Sequence, residues 1–278
     1  MNIDHFYSLI NQLEATSRYF SSDMPPCAKC SARIQQGNLI FDQDNQQTYN
    51  ALRLASEVEA FNRGALTPRQ IGAHEDYKRL LAGRSANSLI CRLGAEDARH
   101  VSEQEFVGLL HMLAAMFFPG TLSFEFQFCE PTANVLGACA SDGARVWVML
   151  HPVLHREIPD TPRSRVLNER VVSRLSTLLH ELCHAFVCAY ACEQCPGYYQ
   201  DVSNMMGHGF GWQRTALAIE FAAQNALGLP FNLGRFDSIM VNFQGMWPAP
   251  STEEAARWHL EGHPAGPRYI LRACNRAE

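Results

Sequence analysis

The stretch LLHELCHAFVCAYACEQC, residues 178–195, concentrates side chains that can bind metals. Its eighteen residues include two histidines, two glutamates and four cysteines. His180, Glu181 and His184 have the spacing H-E-x-x-H, which on a helix is typical of zinc metalloproteases. Zinc is bound by imidazole nitrogen, thiolate sulfur or carboxylate oxygen, and a free carboxylate can act as a general base. The sequence therefore predicts a metal site, with its ligands to be found among these side chains.

Helical geometry separates the apolar residues around this motif from the metal-binding ones. One broad face of a helix over residues 175–188 is apolar: Leu175, Leu178, Leu179, Leu182 and Phe186. His180 and His184 lie on the opposite side and project from successive turns, so both imidazoles can reach one ion. Glu181 lies about 60° around the helix from His184, which suits a general base better than a third ligand. We therefore expect two zinc ligands and one catalytic glutamate from this helix.

A catalytic zinc site needs a third protein ligand and an open fourth position. Val187 and Tyr190 occupy the positions at which the extended motif H-E-x-x-H-x-x-G-x-x-H requires glycine and histidine. His208 is the favoured third ligand, because its flanking glycines in MMGHGFGWQ let the backbone bend sharply beside the metal. Glu193 and Glu220 are the rival ligands, in the manner of the glutamate-type zinc peptidases (gluzincins).

The cysteines of the stretch raise the question of a second metal. Cys188 would lie about 9 Å along the helix axis from an ion between the two histidines, far beyond a zinc–sulfur bond of about 2.3 Å. A separate structural zinc could use Cys188, Cys192 and Cys195, together with Cys27 and Cys30 of an early C-x-x-C pair. Buried, unpaired thiols are the favoured alternative. We therefore expect one catalytic zinc, and a second zinc is the less favoured hypothesis.

Residue patterns also predict the elements that position these groups. TLSFEFQF predicts a half-buried strand, and NVLGACASDGARVWVML predicts two strands joined by a hairpin at residues 141–143. Helices are predicted at about 167–190 and 211–227, with earlier helix starts at Thr67 and Ser102. The predicted fold class is α+β, with a small antiparallel sheet packed on the H-E-x-x-H helix and a second helix. We expect a mostly helical N-terminal extension (1–100), a metalloprotease domain (101–228) and an irregular C-terminal tail (229–278).

Composition and charge are those of an ordinary globular protein. Hydrophobic residues make up 47% and charged residues 18%, and the net charge of −5 gives no general attraction to nucleic acid. The N-terminal residues MNIDHFYSLINQLEATSRYF show no secretory signal. The most apolar run, VGLLHMLAAMFF, is shorter than the roughly 20 residues that a bilayer span needs. We expect an intracellular protein, nuclear or cytoplasmic, with reduced cysteines and no membrane partner.

Several side chains near the motif have ordinary expected roles. Five arginines precede or enter the helix, where we expect a solvated helix entry rather than a nucleic-acid surface: Arg156, Arg163, Arg165, Arg170 and Arg174. His151 and His155 are expected to be solvated rather than to line a cleft. Trp212 is expected to pack the second helix. The strand in TLSFEFQF or the one in ARVWVML is expected to offer a sheet edge to an extended substrate.

Three segments together resemble the SprT-like zinc metalloprotease family, and in particular its Spartan-like catalytic domain. They are RLSTLLHELCHAF, the later GHGFGWQ, and the upstream NVLGACASDGARVWVMLHPVL, and the resemblance covers about residues 120–228. It implies a metalloendopeptidase with zinc held by His180, His184 and His208 and with Glu181 as the catalytic glutamate. It also implies a nuclear role in the repair of DNA–protein crosslinks, with proteins as substrates and DNA as a partner.

The tail departs from the family pattern. Many members carry a C-terminal zinc ribbon with paired C-x-x-C motifs, whereas this tail has only Cys274. Near its end the tail offers Arg268, Arg272 and Arg276 in place of the basic DNA-binding segments of Spartan-like proteins. Peptidase chemistry is therefore the firmer expectation and DNA-linked substrates the weaker one. The alternatives are a gluzincin-type general peptidase, a non-catalytic zinc-binding module for chromatin or partner proteins, and a structural cysteine–histidine zinc protein.

Overall fold

The structure is a computed structural model that describes residues 25–35, 39–41, 48–83, 85–142, 145–156, 168–203, 207–227, 231–235, 237 and 238. Most of the predicted C-terminal tail lies outside the described residues, as do Arg163 and Arg165. The predicted catalytic helix, its histidines and the two strands of the predicted hairpin all lie within them.

Seven α-helices and three β-strands form the main regular structure of the described residues. The helices are α1 (Ala28–Gln35), α2 (Ala51–Arg63), α3 (Pro68–Ala82), α4 (Leu89–Leu93), α5 (Glu103–Phe117), α6 (Glu169–Tyr190) and α7 (Phe210–Leu227). The strands are β1 (Glu125–Phe128), β2 (Gly137–Ser141) and β3 (Val146–Leu150). A short 3-10 turn spans Ala98–His100, and a π-helical turn spans Tyr199–Ser203. The predicted helices at 167–190 and 211–227 correspond to α6 and α7.

Local sequence signals set the starts of three helices. Thr67 and Gln70 form a capping box at the start of α3, in which each side chain bonds to the other's backbone N–H. Ser102 and Glu105 form the same arrangement at α5. The side chain of Asn168 caps α6 by accepting a hydrogen bond from a backbone N–H of the first turn. These bonds satisfy donors that have no partner inside the helix, and they confirm the predicted starts at Thr67 and Ser102.

The three strands form a mixed sheet in the order β1-β3-β2. β2 and β3 pair antiparallel across the predicted hairpin, but β1 pairs with β3 in parallel. The predicted α+β class is confirmed, whereas the predicted antiparallel sheet is wrong. Residues 129–136 carry the chain from the end of β1 to the far edge of the sheet, so β1 and β3 run in the same direction. Alternating apolar residues predict which face of a strand is buried, but not the direction in which the strand pairs.

Helix α6 lies at the centre of the hydrophobic core. It packs on β2 and β3 and also contacts α2, α5 and α7. Every side chain of its predicted apolar face is 0% exposed: Leu175, Leu178, Leu179, Leu182 and Phe186. Burial of each such side chain contributes about 1.5–3 kcal/mol. His180 and His184 are half-buried and Cys188 is exposed, so the histidines lie away from the apolar face, as predicted, and they line a cleft.

Segments on both sides of residues 101–228 join the same core. Helix α2 packs extensively against α7, and a Cβ on Gly211 would lie 2.9 Å from the Cβ of Ala51. Tyr49 forms a parallel bridge with Ala191, just after α6. Leu233, in the segment after α7, is 0% exposed. The predicted domain boundaries at residues 100 and 228 stay predictions, and within the described residues the hydrophobic core extends across both.

The most apolar run of the chain forms most of α5. This 15-residue helix buries seven of its side chains against its neighbours and starts at a capping box, as a core helix does. None of the helices that the structure describes is both long and apolar enough to cross a membrane.

Candidate metal centre

Three imidazole rings converge at the mouth of a cleft beside α6. His180 and His184 project from successive turns of α6, and His208 lies in the turn that precedes α7. The Nε2 atom of His184 lies 3.2 Å from those of His180 and His208, and the Nε2 atoms of His180 and His208 are 3.0 Å apart. Nitrogens held at about 2.0–2.1 Å from one tetrahedral zinc ion are about 3.3 Å apart. The triangle therefore has the size that a zinc ion with an open fourth position requires.

Neighbouring groups fix the orientation of the rings. Nδ1 of His180 donates a hydrogen bond to the backbone carbonyl of Leu233 at 2.5 Å, which leaves the Nε2 lone pair for a metal. The ring of Trp212 is 0% exposed and lies against all three histidines, with centroid distances between 4.5 and 5.3 Å. Trp212 packs the start of α7 as expected, and it also forms the apolar wall behind the three imidazoles.

Gly207 brings His208 close to α6. Its φ of +88° lies in the left-handed region, which residues with a Cβ rarely adopt. A Cβ at this position would also lie 3.2 Å from two atoms of the His184 ring. The expectation that glycine beside His208 permits a sharp bend is therefore met at Gly207 by both the backbone conformation and the close approach.

The two rival ligands have other environments. Glu220 is buried on α7, where its Oε2 accepts a hydrogen bond from Nε of Arg235 at 2.6 Å and its Oε1 accepts one from the N–H of Leu233 at 2.8 Å. Glu220 therefore holds the segment whose carbonyl orients His180, rather than the metal. Glu193 is exposed in the turn after α6, and the group of possible ligands that converges here among the described residues consists of the three histidines.

Glu181 lies beside the histidine triangle. Its side chain is buried, lines the cleft, and places Oε1 3.9 Å from Nε2 of His180. Burial raises the pKa of this carboxyl to about 8, and the nearby positive charge of Arg156 opposes that shift. Gly137 on β2 makes room for the carboxyl group, because a Cβ there would lie 2.9 Å from Oε1. Glu181 is thus a carboxyl group close to the metal position, separate from the ligands and able to hold or release a proton.

The environment keeps two of the imidazoles uncharged. Burial lowers the pKa of His180 well below its usual range, and the neighbouring His208 lowers it further. Burial likewise lowers the pKa of His184, with further contributions from His180 and His208. A neutral imidazole has a free lone pair, which is the form that binds a metal.

The cleft in front of these residues has a volume of about 590 Å³. Its lining includes residues 135–139, which contain the start of β2, and residues 232–234, which follow α7. β2 is an edge strand, whereas β3 is central in the sheet. The sheet edge beside the site is therefore β2. The strand in ARVWVML is β3, which lies between the other two strands, and the strand in TLSFEFQF is β1, which does not line the cleft.

Arg156 enters the cleft from the loop before α6. Its Nη1 lies 3.2 Å from both the backbone and the side-chain oxygen of Asn232, and 3.5 Å from a carboxylate oxygen of Asp237. Gly234, at φ +75°, permits this approach, because a Cβ there would lie 2.4 Å from the guanidinium. The residue pattern around Arg156 does not predict this role, nor is the role of Leu233 predicted. The available signal was a charged Arg235 within the mostly apolar segment FNLGRF, together with Glu220 in an apolar helix.

Four cysteines form a second cluster, at the end of α6. The sulfurs of Cys27, Cys30, Cys192 and Cys195 all lie within 4.8 Å of one another. A hydrogen bond from the backbone N–H of Cys30 is the largest influence on Cys27 and lowers its pKa to about 7. The predicted ligands of a second zinc, Cys188, Cys192 and Cys195, are therefore wrong in one member, Cys188. Cys188 is still on the helix, on its histidine side, whereas the chain turns after Tyr190 and carries the next two cysteines to the C-x-x-C pair of α1.

Cys188 instead lies beside Cys139 of β2. A hydrogen bond between the two side chains lowers the pKa of Cys188 and raises that of Cys139. Both residues line the cleft. Neither belongs to the groups of three or more ligand side chains that converge in the described residues.

Two expectations about polar residues near α6 are wrong. Arg174 is only 1% exposed, and its guanidinium donates hydrogen bonds to four backbone carbonyls: those of Leu93, Ala95, Glu96 and Pro152. His151 is also buried, and its Nδ1 accepts hydrogen bonds from the N–H groups of residues 153 and 154. Arg174 thus joins the end of α4 and the turn after it to residue 152, and His151 holds residues 153 and 154, because buried backbone groups need partners. Neither is solvated.

The chain matches no model of a known protein family, no curated protein and no solved structure in three comparisons. Its function is therefore inferred from the site itself. The site contains three converging imidazoles, a buried carboxyl group beside them, and a cleft along a sheet edge. Metal-assisted hydrolysis requires three ligands, an open position and a general base.

Proposed function

We propose that this protein is a zinc-dependent metalloendopeptidase that hydrolyses peptide bonds, with a catalytic domain of the SprT-like type. The observation that supports it most directly is the triangle of Nε2 atoms 3.0–3.2 Å apart, with the Glu181 carboxyl 3.9 Å from one of them. His180, His184 and His208 are the proposed metal ligands, and Glu181 is the proposed catalytic residue.

The donor set suits zinc. Three neutral imidazoles and an open position are a common set for catalytic zinc, and the metal adds a Lewis acid that polarises a carbonyl and lowers the pKa of water to about 7. Zinc also accounts for the close approach of the three Nε2 atoms, because lone pairs at this separation repel unless a cation or protons lie between them.

Glu181 performs the proton transfers in this mechanism. Its carboxylate accepts a proton from the attacking water and then donates that proton to the nitrogen of the departing amine. A carboxyl group with a pKa raised by burial is well suited to both steps, because it holds the proton more firmly than an exposed glutamate does. The positive charge of Arg156 limits that rise and so favours the carboxylate needed for the first step.

The substrate chain is proposed to lie along β2. The edge of β2 that does not face β3 carries backbone groups outside the sheet, and the start of this strand lines the cleft beside Glu181. An extended peptide bound there as an additional strand would place its backbone across the histidine triangle. Main-chain recognition of this kind tolerates many side chains, which suits a protease with varied protein substrates.

DNA-bound or DNA-crosslinked proteins in the nucleus are the substrates that the SprT-like resemblance adds to the proposal. The net charge of −5 and the internal role of Arg174 give this part no independent electrostatic support. A gluzincin-type site is disfavoured because both oxygens of Glu220 are engaged elsewhere. A non-catalytic zinc module would not need a carboxyl group at the position of Glu181.

The decisive variant is Glu181→Gln in the zinc-loaded chain. It removes the base but keeps the shape, so we expect unchanged zinc content and a loss of proteolysis of about 10²–10⁴-fold. Glu193→Gln is the matched control, because Glu193 is exposed beyond the end of α6 and should leave activity unchanged. Full activity of the Glu181→Gln protein would refute the proposed mechanism.

The substrate class needs a separate assay. The zinc-loaded protein is incubated with a DNA-binding protein as substrate, with and without single-stranded DNA. Cleavage that requires DNA would support the Spartan-like role. Equal cleavage in both reactions would support a general peptidase, and zinc binding without any cleavage would support a non-catalytic module.

A further inference from the structure

The four-cysteine cluster joins two parts of the chain that are far apart in sequence. Cys27 and Cys30 lie at the start of α1, and Cys192 and Cys195 lie in the turn after α6. All four sulfurs are mutually within 4.8 Å, and those of Cys27 and Cys192 are 3.9 Å apart. Two C-x-x-C pairs therefore face each other, with one sulfur at each corner of a compact group.

The spacing between the sulfurs is that of a metal site rather than of a disulfide. Four sulfurs at about 2.3 Å from one tetrahedral zinc are about 3.8 Å apart, close to the distance between Cys27 and Cys192. A disulfide would require about 2.05 Å between two of them and would leave the other two without a role. All four cysteines are free thiols in the structure.

The cluster does not serve as part of the main hydrophobic core. Cys30, Cys192 and Cys195 are 0–4% exposed and form a separate group with Cys27, apart from the core around α6. The four thiols thus pack on one another as a group and not on the apolar side chains of that core. Ordinary burial of small hydrophobic side chains therefore does not account for this group.

The backbone around the cluster is already held in place. The N–H of Tyr49 donates to the carbonyl of Tyr190 at 2.7 Å, and the N–H of Cys192 donates to the carbonyl of Tyr49 at 2.8 Å. A turn bond from the N–H of Cys195 to the carbonyl of Cys192, at 3.1 Å, closes the second C-x-x-C loop. Preformed backbone of this kind reduces the entropy that a metal must overcome to order its ligands.

We infer that Cys27, Cys30, Cys192 and Cys195 bind a structural zinc ion, separate from the histidine site. Four protein ligands close the coordination sphere, so this zinc has no position for a substrate. The ion would tie the start of α1 to the end of α6. It would also anchor the beginning of the segment 196–207, which leads from Cys195 to His208. The site is independent of the proposed protease activity, because it shares no ligand with the histidine triangle.

Metal content of the full chain tests this inference. Protein saturated with zinc under reducing conditions, then freed of excess metal, should contain two zinc ions per chain. The double variant C27S/C30S should contain one zinc ion, at the histidines. His184→Ala should also contain one, at the cysteines. Cys91→Ser is the matched control, because Cys91 is an exposed thiol on α4 and should leave two ions.

Cobalt substitution identifies which site remains. Thiolate ligands give cobalt a strong charge-transfer absorption in the near ultraviolet, and imidazole ligands do not. This band should persist in His184→Ala and disappear in C27S/C30S. If Glu181→Gln loses proteolysis but retains two zinc ions, zinc binding by the cysteines is shown to be independent of the proposed catalysis.

Thiol labelling of the wild-type protein keeps the test valid if the double variant does not fold. In native zinc-loaded protein, alkylation followed by mass spectrometry should modify Cys91 and spare the four clustered cysteines. A chelator should then make those four reactive. A single zinc per chain at saturation that His184→Ala removes and C27S/C30S retains would overturn the inference. So would four clustered thiols that react without a chelator, or a disulfide between Cys27 and Cys192 in freshly reduced and repurified protein.

Discussion

Gly137→Ala should separate catalysis from metal binding. The added methyl group would lie 2.7 Å from Cγ2 of Thr177, 2.8 Å from the carbonyl oxygen of Met149 and 2.9 Å from Oε1 of Glu181. The first two atoms belong to the buried helix α6 and to the backbone of the central strand β3, so neither yields easily. The Glu181 carboxylate is the free end of a side chain, and we expect it to move away from its position beside the histidines.

The expected magnitudes follow from these contacts. Overpacking at a tightly packed position costs about 1–3 kcal/mol of folding free energy. A displacement of a catalytic group by about 1 Å reduces activity by about 10²-fold. Zinc content should stay unchanged, because the imidazoles of His180, His184 and His208 are held from the other side of the site, by Leu233, Trp212 and Gly207.

Three measurements on one preparation of Gly137→Ala test these expectations: kcat/KM for a protein substrate, zinc per chain, and the thermal unfolding midpoint. Gly108→Ala is the control, because a Cβ at Gly108 meets nothing within 4 Å and α5 is a regular helix. That variant should gain up to about 1 kcal/mol of stability and keep full activity. Wild-type activity of Gly137→Ala would refute the placement of Glu181 against β2, and loss of zinc would refute the separation of the two roles.

Three further predictions concern a metal ligand, a buried ion pair beside the site, and an ion pair between α4 and α5. His208→Ala should weaken zinc binding by more than about 10²-fold, since it removes a ligand rather than a supporting group, and unchanged affinity in a competition assay with a chelator would exclude His208. Arg235→Ala should cost about 3–5 kcal/mol in unfolding experiments, because it leaves the Glu220 carboxylate buried without its partner 2.6 Å away; a small effect would show that water reaches this pair. Arg92 holds the pKa of Glu105 at about 2, below its ordinary value of 4.5, so this group stabilises the fold above the unfolded pKa, and the contribution is lost as pH falls from about 4.5 towards 2. Glu105→Gln should therefore flatten the decline of the unfolding midpoint between these pH values, and an unchanged acid profile would contradict this.

The sequence predicts α6 well because one local pattern determines both of its faces. A period of 3.6 residues places five apolar side chains together, and the same period places His180 and His184 on adjacent turns. His208 is found for a different reason: flanking glycine is a local signal for a backbone bend, and the structure shows that bend at Gly207. Both inferences need only a few neighbouring residues.

Other features depend on contacts that no local pattern encodes. The direction of β1 is set by the path of residues 129–136 across the sheet, so alternation in TLSFEFQF does not predict it. The membership of Cys27 and Cys30 in the cysteine cluster depends on chain packing over more than 160 residues, and the exclusion of Cys188 depends on where α6 ends. In both cases the local pattern correctly predicts the element or the ligand type, but the partner lies far away in the sequence.

The support around the histidine triangle comes from three segments with different roles. Residues 231–235 act on His180 through the Leu233 carbonyl and are themselves held by Glu220. Strand β2 limits the position of Glu181 through Gly137, and residues 207–208 complete the ligand set. Because these contacts reach different side chains, substitutions in the three segments should have different consequences. A change at Gly137 should affect proton transfer while zinc stays bound, whereas changes in the other two segments should affect metal affinity first. The motif H-E-x-x-H thus supplies the reactive groups, and contacts from outside it determine whether binding and catalysis can be separated.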